Sequence, residues 1–302
     1  MPSQQRAYLY GLGAVLLWST VATAFKLSLR YLDTLQLLFY ACISSIVLIL
    51  GILGLQKKLC YIWPQAKAGY KTYLLLGFLN PFAYYLILFQ AYDLLPAQQA
   101  QPLNYTWGIT LALLSIPLLG QRISRWEIFA CLISYLGVVI IATKGDLAGL
   151  HFENPLGVSL ALISTIIWAL YWILNTKSPH DPTIGLLLCF CFSLPFITIT
   201  VLTFSSLIVA DWRGLAGAFY VGAFEMGFAF VLWIGAMKTA TNTAKISNLI
   251  FLSPFLSLYF IATFVGEQIH NATYIGLGFI LAGVFLQSQL GKQSPKKIHR
   301  NN

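Results

Sequence analysis

The chain has 302 residues, of which 58% are hydrophobic and only 9% are charged. A soluble domain carries about 25% charged residues, and nine acidic with eighteen basic side chains cannot coat one of this size. The excess of +9 does not mark a nucleic-acid binder either, because the basic residues lie in short loops between apolar runs and not along one face.

Apolar runs of about 20 residues recur along the whole length, as membrane-crossing helices require. They predict an all-α polytopic membrane protein of ten transmembrane helices, with no sizeable soluble domain. The first run covers 8–27. Arg6 ahead of it and Ala22-Thr23-Ala24 near its end imitate a cleavable signal, but the run has a counterpart later in the chain, so it reads as a helix. The second run covers 35–55. A polar loop with Lys57, Lys58, Lys67 and Lys71 follows, and its Tyr61 and Trp63 suit headgroup depth. Further helices are predicted at 73–92, 97–119 and 126–143, then a polar link at 144–154. Five more follow at 155–175, 183–208, 215–237, 243–265 and 272–290, and the basic tail 292–302 reads as disordered.

Loop charge sets orientation. With the N-terminus in the cytoplasm, only Lys26, Arg30, Lys144 and Arg213 of the eighteen basic residues fall on the outer side. Basic residues accumulate on the cytoplasmic side, so both termini are placed there, in the inner (plasma) membrane. Cys42, Cys60, Cys131, Cys189 and Cys191 form no disulfide framework and no metal-type pair; they read as small packing residues.

The halves match weakly at an offset near 146. Gly120, Ile123, Gly137 and Val138 align with Gly266, Ile269, Gly283 and Val284. Trp18 falls opposite Trp168, and Gly77 opposite Gly222. Five helices per half is an odd number, so the second half enters the membrane from the opposite side. The predicted organisation is one repeat over 1–146, an inverted repeat over 147–291, and the tail 292–302. Inverted repeats of this kind suit secondary transporters, which hold substrate where the repeats meet.

These features resemble the drug/metabolite transporter superfamily, EamA type, over nearly the whole chain. Gly120-Gln121-Arg122 and Gly266-Glu267 stand in the last hairpin of each repeat. Leu103-Asn104-Tyr105-Thr106-Trp107 is similar to the Asn-Tyr-x-Trp segment of YddG-type aromatic amino acid exporters, with Gly108 where a proline often follows. The resemblance implies a central cavity lined by helices 1, 3, 4, 6, 8 and 9, and export from the cytoplasm.

Glu225 is the leading candidate residue. A charge at mid-membrane costs roughly 2.5–3.5 kcal/mol and is retained for a partner or a cavity. It suits binding of a substrate ammonium group or proton coupling; the alternative is a packing hydrogen bond between helices. Its repeat counterpart is Asn80, and Pro81 after it breaks helix 3 by removing a donor. Lys245 either reaches a substrate carboxylate or snorkels to the cytoplasmic surface, and Asn248 shares its face. Gln98, Gln101 and Tyr105 form one polar face that cannot meet lipid and so meets the cavity or other helices, with Asn104 beside it. Trp18, Tyr84, Trp107 and Trp168 supply candidate aromatic walls. Gly137, Gly222, Gly276 and Gly283 read as close-packing sites, Pro254 as a kink, and Glu267 as a cap.

The substrate class is an amino acid or a related small metabolite, carried by a monomer or a homodimer embedded in the lipid bilayer, with no nucleic-acid partner. No cofactor and no metal is called for, and the chain is not read as an enzyme: His151, His180, His270 and His299 lie in loops or the tail, and there is no phosphate-cradling Gly-rich loop. The alternatives are a membrane-embedded enzyme acting on lipid-like substrates and a channel.

Overall fold

The computed structural model describes residues 3–120, 125–149, 152, 154–175, 181–241, 246 and 248–290. Among them there are only helices and connecting turns. The segments are α1 (Ser3–Ser28), α2 (Thr34–Leu55), α3 (Leu59–Leu94), α4 (Ala97–Leu119) and α5 (Arg125–Ala142). The second half holds α6 (Pro155–Asn175), α7 (Pro182–Phe204), α8 (Trp212–Thr239), α9 (Leu249–Val265) and α10 (Asn271–Leu290). Seven are long and apolar enough to cross a membrane; the apolar parts of α5, α9 and α10 are shorter. The tail 292–302, Gln121 and Arg122 lie outside the described residues.

Three helices differ from their sequence expectation. α3 begins at Leu59, so most of the expected polar loop is helix. Pro64 sits in its first turn, where its missing N–H costs nothing, and Ala66 and Ala68 favour helix. The chain kinks at Gly69 (φ −128°, ψ 20°) before the apolar part starts. α4 is broken at Tyr105–Thr106, between Ala97–Asn104 and Trp107–Leu119; Pro102, without an N–H, leaves the carbonyl four residues back without its helical bond. α9 opens as a tight 3₁₀ turn, Asn248–Leu252, ahead of Pro254. The expected break in α3 is present: Asn80 is extended (φ −145°, ψ 119°) inside a widened turn, Phe78–Ala83. α8 carries a widened turn at Val221–Phe228, around Glu225.

The main helix contacts exchange when the two halves are exchanged. α1 packs on α8, and α3 on α6; α1 on α9, and α4 on α6; α2 on α8, and α3 on α7. α2 with α7 and α5 with α10 pair like with like. The correspondence reaches single atoms. Asp33 caps α2 through the N–H groups of Leu35 and Gln36, and Asp181 caps α7 through those of Thr183 and Ile184. Each cap also accepts from a residue that follows the other helix: Ser205, directly after α7, donates to Asp33, and Lys58, in the turn after α2, to Asp181 at 2.7 Å. Left-handed glycines end α4 and α9, Gly120 at φ 66° and Gly266 at φ 81°.

Glycines set the closest approaches. A Cβ on Gly137 would lie 2.4 Å from the Gly276 carbonyl oxygen, and one on Gly283 would lie 2.4 Å from that of Ala130. Between these points Ser134 donates to the Ile280 carbonyl at 3.0 Å. A Cβ on Gly77 would meet the Cys189 carbonyl at 2.4 Å, and one on Gly222 that of Ala41 at 2.1 Å. These positions let backbones touch, as the sequence led us to expect.

Candidate functional site

The broken helices surround one large cavity. Its volume is about 480 Å³, within the range of small-molecule sites. α1 contributes Trp18, Val21 and Phe25; α3 contributes Tyr84, Leu88 and Tyr92. α4 supplies Gln101, Asn104, Tyr105 and Trp107, α6 supplies Trp168 and Trp172, and α8 supplies Glu225, Phe230, Trp233 and Met237. Ile250 of α9 completes the wall. Five of the six expected helices thus contribute several residues each, and α9 one.

Seven of the ten expected site residues meet here: Trp18, Tyr84, Gln101, Asn104, Trp107, Trp168 and Glu225. Asn80 is buried and does not line the cavity; its amide meets the Tyr171 hydroxyl, and its Oδ1 has no partner. Its place at the break in α3 makes it structural in this arrangement. Lys245 lies outside the described residues, as does the side chain of Asn248.

Glu225 is half paired. The Tyr85 hydroxyl donates to Oε1 at 3.1 Å, while Oε2 is buried with no hydrogen-bond partner. Asn104 is spent on its neighbours: Oδ1 accepts from the Tyr84 hydroxyl at 3.3 Å, and Nδ2 donates to Ser164 at 3.0 Å. Gln101 accepts from Ser257 across the α4–α9 contact. Tyr105 is hydrogen-bonded to Ser253, which also accepts from Ser19 at 3.3 Å. Gln98, the third member of the expected polar face, meets another helix, the other of the two outcomes expected for that face: it accepts from the His270 N–H and Thr273 and donates to the Gln268 carbonyl, tying α4 to α10 and the turn before it.

Rings join along the wall. Tyr84 stacks on Trp168 with centroids 4.5 Å apart, Trp168 meets Phe230 at 5.9 Å, and Phe230 meets Trp18 at 5.7 Å. Trp233 closes on Trp18 at 5.4 Å. Tyr85 and Trp172 were noted from the sequence only as aromatics within helices, and Phe230 was not singled out. For Phe230 the signal was hidden by geometry. The widened turn in α8 inserts an extra residue, so Glu225 and Phe230, five apart, share the cavity wall where regular helix spacing points to the residue four on, Ala229.

The cavity has two unlike ends. Towards one it stops at Phe25 and Tyr92, whose rings pack at 5.1 Å with Phe89 at 4.8 Å from Phe25. Beyond them Lys26 Nζ donates to the Tyr92 and Leu95 carbonyls at 2.7 and 2.9 Å. Glu267 caps α4, accepting from Ala97 N at 2.7 Å and Gln98 N at 3.1 Å, the role expected of it. Arg30 donates to the Val265 carbonyl at 3.0 Å. Towards the other end the wall continues through Ser115 and Leu119 at the end of α4 and Met237 at the end of α8, where Met237 and Tyr8 of α1 both pack on the cluster of Ala7, Ala236 and Ile246.

A bundle of membrane-length apolar helices around an aromatic, acid-bearing cavity has the build of a multi-pass transport protein. The model of the EamA-like transporter family matches the chain over residues 5–143 and again over 155–289, and the chain belongs to that family. An uncharacterised transporter of Archaeoglobus fulgidus is 24% identical over 279 residues, 90% of this chain and 93% of its own length. The aromatic amino acid exporter YddG of Ancylobacter novellus is 25% identical over 301 residues, 96% of this chain and all of its own. A crystal structure with 21% identity superposes with a TM-score of 0.65 over 96% of this chain and 99% of that one, which shows a shared fold.

Proposed function

We propose that this EamA-family protein is a secondary transporter that exports amino acids or related small metabolites across the inner membrane by alternating access. Ten helices in two inverted repeats, 1–146 and 147–291, form it, with both termini in the cytoplasm. The two successive family matches support the repeat, as do the exchanging helix contacts and the paired caps. The observation that carries the function is the cavity where the halves meet, with Glu225 half paired at its wall. The 25%-identical exporter of aromatic amino acids supports the substrate class.

In this reading Glu225, Gln101, Asn104, Trp107, Tyr84, Trp18 and Trp168 form the substrate site, and Lys245 and Asn248 are kept as candidates from the sequence. In it the shape is taken as inward-facing: the Phe25, Lys26 and Glu267 end is then the outer gate, and the Leu119 and Met237 end leads to the cytoplasm. Export requires the outer ties to open while the inner end closes. No separate energy-coupling domain is needed, because rocking of one repeat against the other alternates access.

Purified protein in liposomes tests this. Saturable uptake of labelled amino acid or amine driven by counterflow is the expected result. Ion conductance without counterflow would instead indicate a channel, and chemical conversion of the solute an enzyme; either result rejects the proposal.

A further inference from the structure

We infer that the cavity selects organic monocations, an ammonium group on an aromatic or apolar body, over zwitterions. The inference rests on the transporter reading and sharpens its substrate class. Charge comes first. Among the described residues that line the cavity, Glu225 is the one acid, and there is no lysine, arginine or histidine. Lys26, just beyond the closed end, spends its ammonium on the Tyr92 and Leu95 carbonyls. A buried carboxylate oxygen without a partner is costly unless a cation or donor meets it. Glu225 Oε2 is such an oxygen, and Tyr85 satisfies only Oε1.

The rings give the second argument. Trp233, Trp18, Phe230, Trp168 and Tyr84 touch in sequence along the wall that holds Glu225. Ring faces carry negative potential and attract ammonium groups, and enclosing rings are a recurrent way to hold one. Carboxylate and rings thus favour the same charge.

A zwitterion adds a carboxylate to a cavity that already holds one. Only neutral donors face it, and none of the described lining residues brings a balancing positive charge. The Asn104 amide is committed to Tyr84 and Ser164. Trp172 Nε1 is buried without a partner and can donate to an oxygen of the solute, but a neutral N–H does not offset the repulsion between two carboxylates. The volume of about 480 Å³ accommodates a single-ring or two-ring amine.

The test uses the full-length protein in liposomes and four probes of one shape: phenethylamine, phenylalanine amide, phenylalanine and 3-phenylpropionate. Binding is read from quenching of cavity tryptophan fluorescence, and transport from counterflow. The two monocations are expected to bind at least about tenfold tighter than phenylalanine, and the anion not at all. Glu225→Gln is expected to lose that preference, and Glu225→Asp to retain part of it, which separates loss of charge from misfolding. Phenylalanine binding as tightly as the amines, the more so if Lys245→Ala abolishes it, overturns the inference and leaves the transporter reading intact. Absence of binding by all four probes also overturns it. Amine binding without any counterflow keeps the site and rejects transport instead.

Discussion

The two ends of the central cavity are built from different materials. At one end the helices are tied by charge on backbone: Glu267 on two amides of α4, Lys26 on two carbonyls at the end of α3, Arg30 on the last carbonyl of α9. At the other end the lining is Leu119, Met237, Ile250 and Ser115, with no charged side chain among the described residues of the wall. The ties all meet segment ends, where helices leave backbone groups unpaired. Such a tie is strong when made and can be replaced by water when broken. An apolar wall has no such exchange; it closes only by packing. Under the transporter reading, the difference teaches that the two gates of such a protein need not work alike.

The largest expected effect comes from the spine that both ends share. α5 and α10 touch backbone to backbone at Gly137, Gly276 and Gly283. A side chain at Gly283 begins 2.1 Å from the Ser134 hydroxyl and 2.4 Å from the Ala130 carbonyl, so neither helix can stay in place. Gly283→Val is expected to cost about 3 kcal/mol or more, beyond ordinary overpacking, because the obstacle is backbone. Detergent-solubilised protein should lose its monodisperse peak, or at least about 10 °C of melting temperature. By contrast Gly278→Ala, with open space at its Cβ, should change nothing measurable.

The next effect belongs to the tied end alone. Glu267→Ala removes a charged cap from Ala97 and Gln98, a loss of about 1–2 kcal/mol if those amides turn to water. That corresponds to a shift of about five- to thirtyfold in the closed-to-open ratio of the gate. A cysteine at Phe25, behind the gate, should react correspondingly faster with an impermeant thiol reagent added from outside. A cysteine at Met237 should respond in the opposite sense to reagent from the cytoplasmic side. Equal labelling before and after the substitution would show that Glu267 holds the helix and not the gate. Lys26→Met should act in the same direction and more weakly, because its long side chain loses rotamer freedom to make its two bonds.

Much of this frame was legible in the sequence, for reasons that particular residues show. Apolar length located the helices, since a membrane leaves a chain few ways to satisfy its backbone. Pro81 announced the break in α3, and Gly137 with Gly283 announced the spine, because both act through the backbone. Glu225 was conspicuous as an acid in an apolar run. What stayed hidden depends on register. Phe230 reaches the cavity through an extra residue in a widened turn, which no fixed spacing anticipates. Asn80, aligned with Glu225, was expected to share its role; the break turns it to Tyr171 instead. The polar face of Gln98 and Gln101 was expected to meet the cavity or other helices, and it divides between them: Gln101 lines the cavity, while Gln98, at the start of α4, meets the turn before α10. Lysines at 57–71 suggested a loop, whereas the segment from Ile62 is an exposed helix: charge reports contact with water, not backbone shape.

The smallest effect compares the two N-caps. Asp33 and Asp181 do the same work on α2 and α7, but Ser205 completes the first and Lys58 the second. Burial pushes the Asp181 carboxyl up; the Lys58 hydrogen bond and the N–H groups of Ile184 and Thr183 outweigh it and hold the group below its ordinary value. A carboxyl lowered on folding stabilises the fold above its unfolded value, near 4, and the contribution is lost as pH falls through the folded one. Lys58→Met should therefore cost less than about 1 kcal/mol and lower the melting temperature slightly at pH 7, since the pair keeps partial contact with water and is screened. The gap between wild type and variant should be flat from pH 7 to about 5 and close below about 4. It should also shrink in high salt, because only the Asp181 cap is completed by a cation. Ser205→Ala, the matching change at Asp33, should show no such salt dependence. If both variants respond to salt alike, the two caps are equivalent in energy as well as in geometry, and the charge that distinguishes them contributes nothing to holding α7.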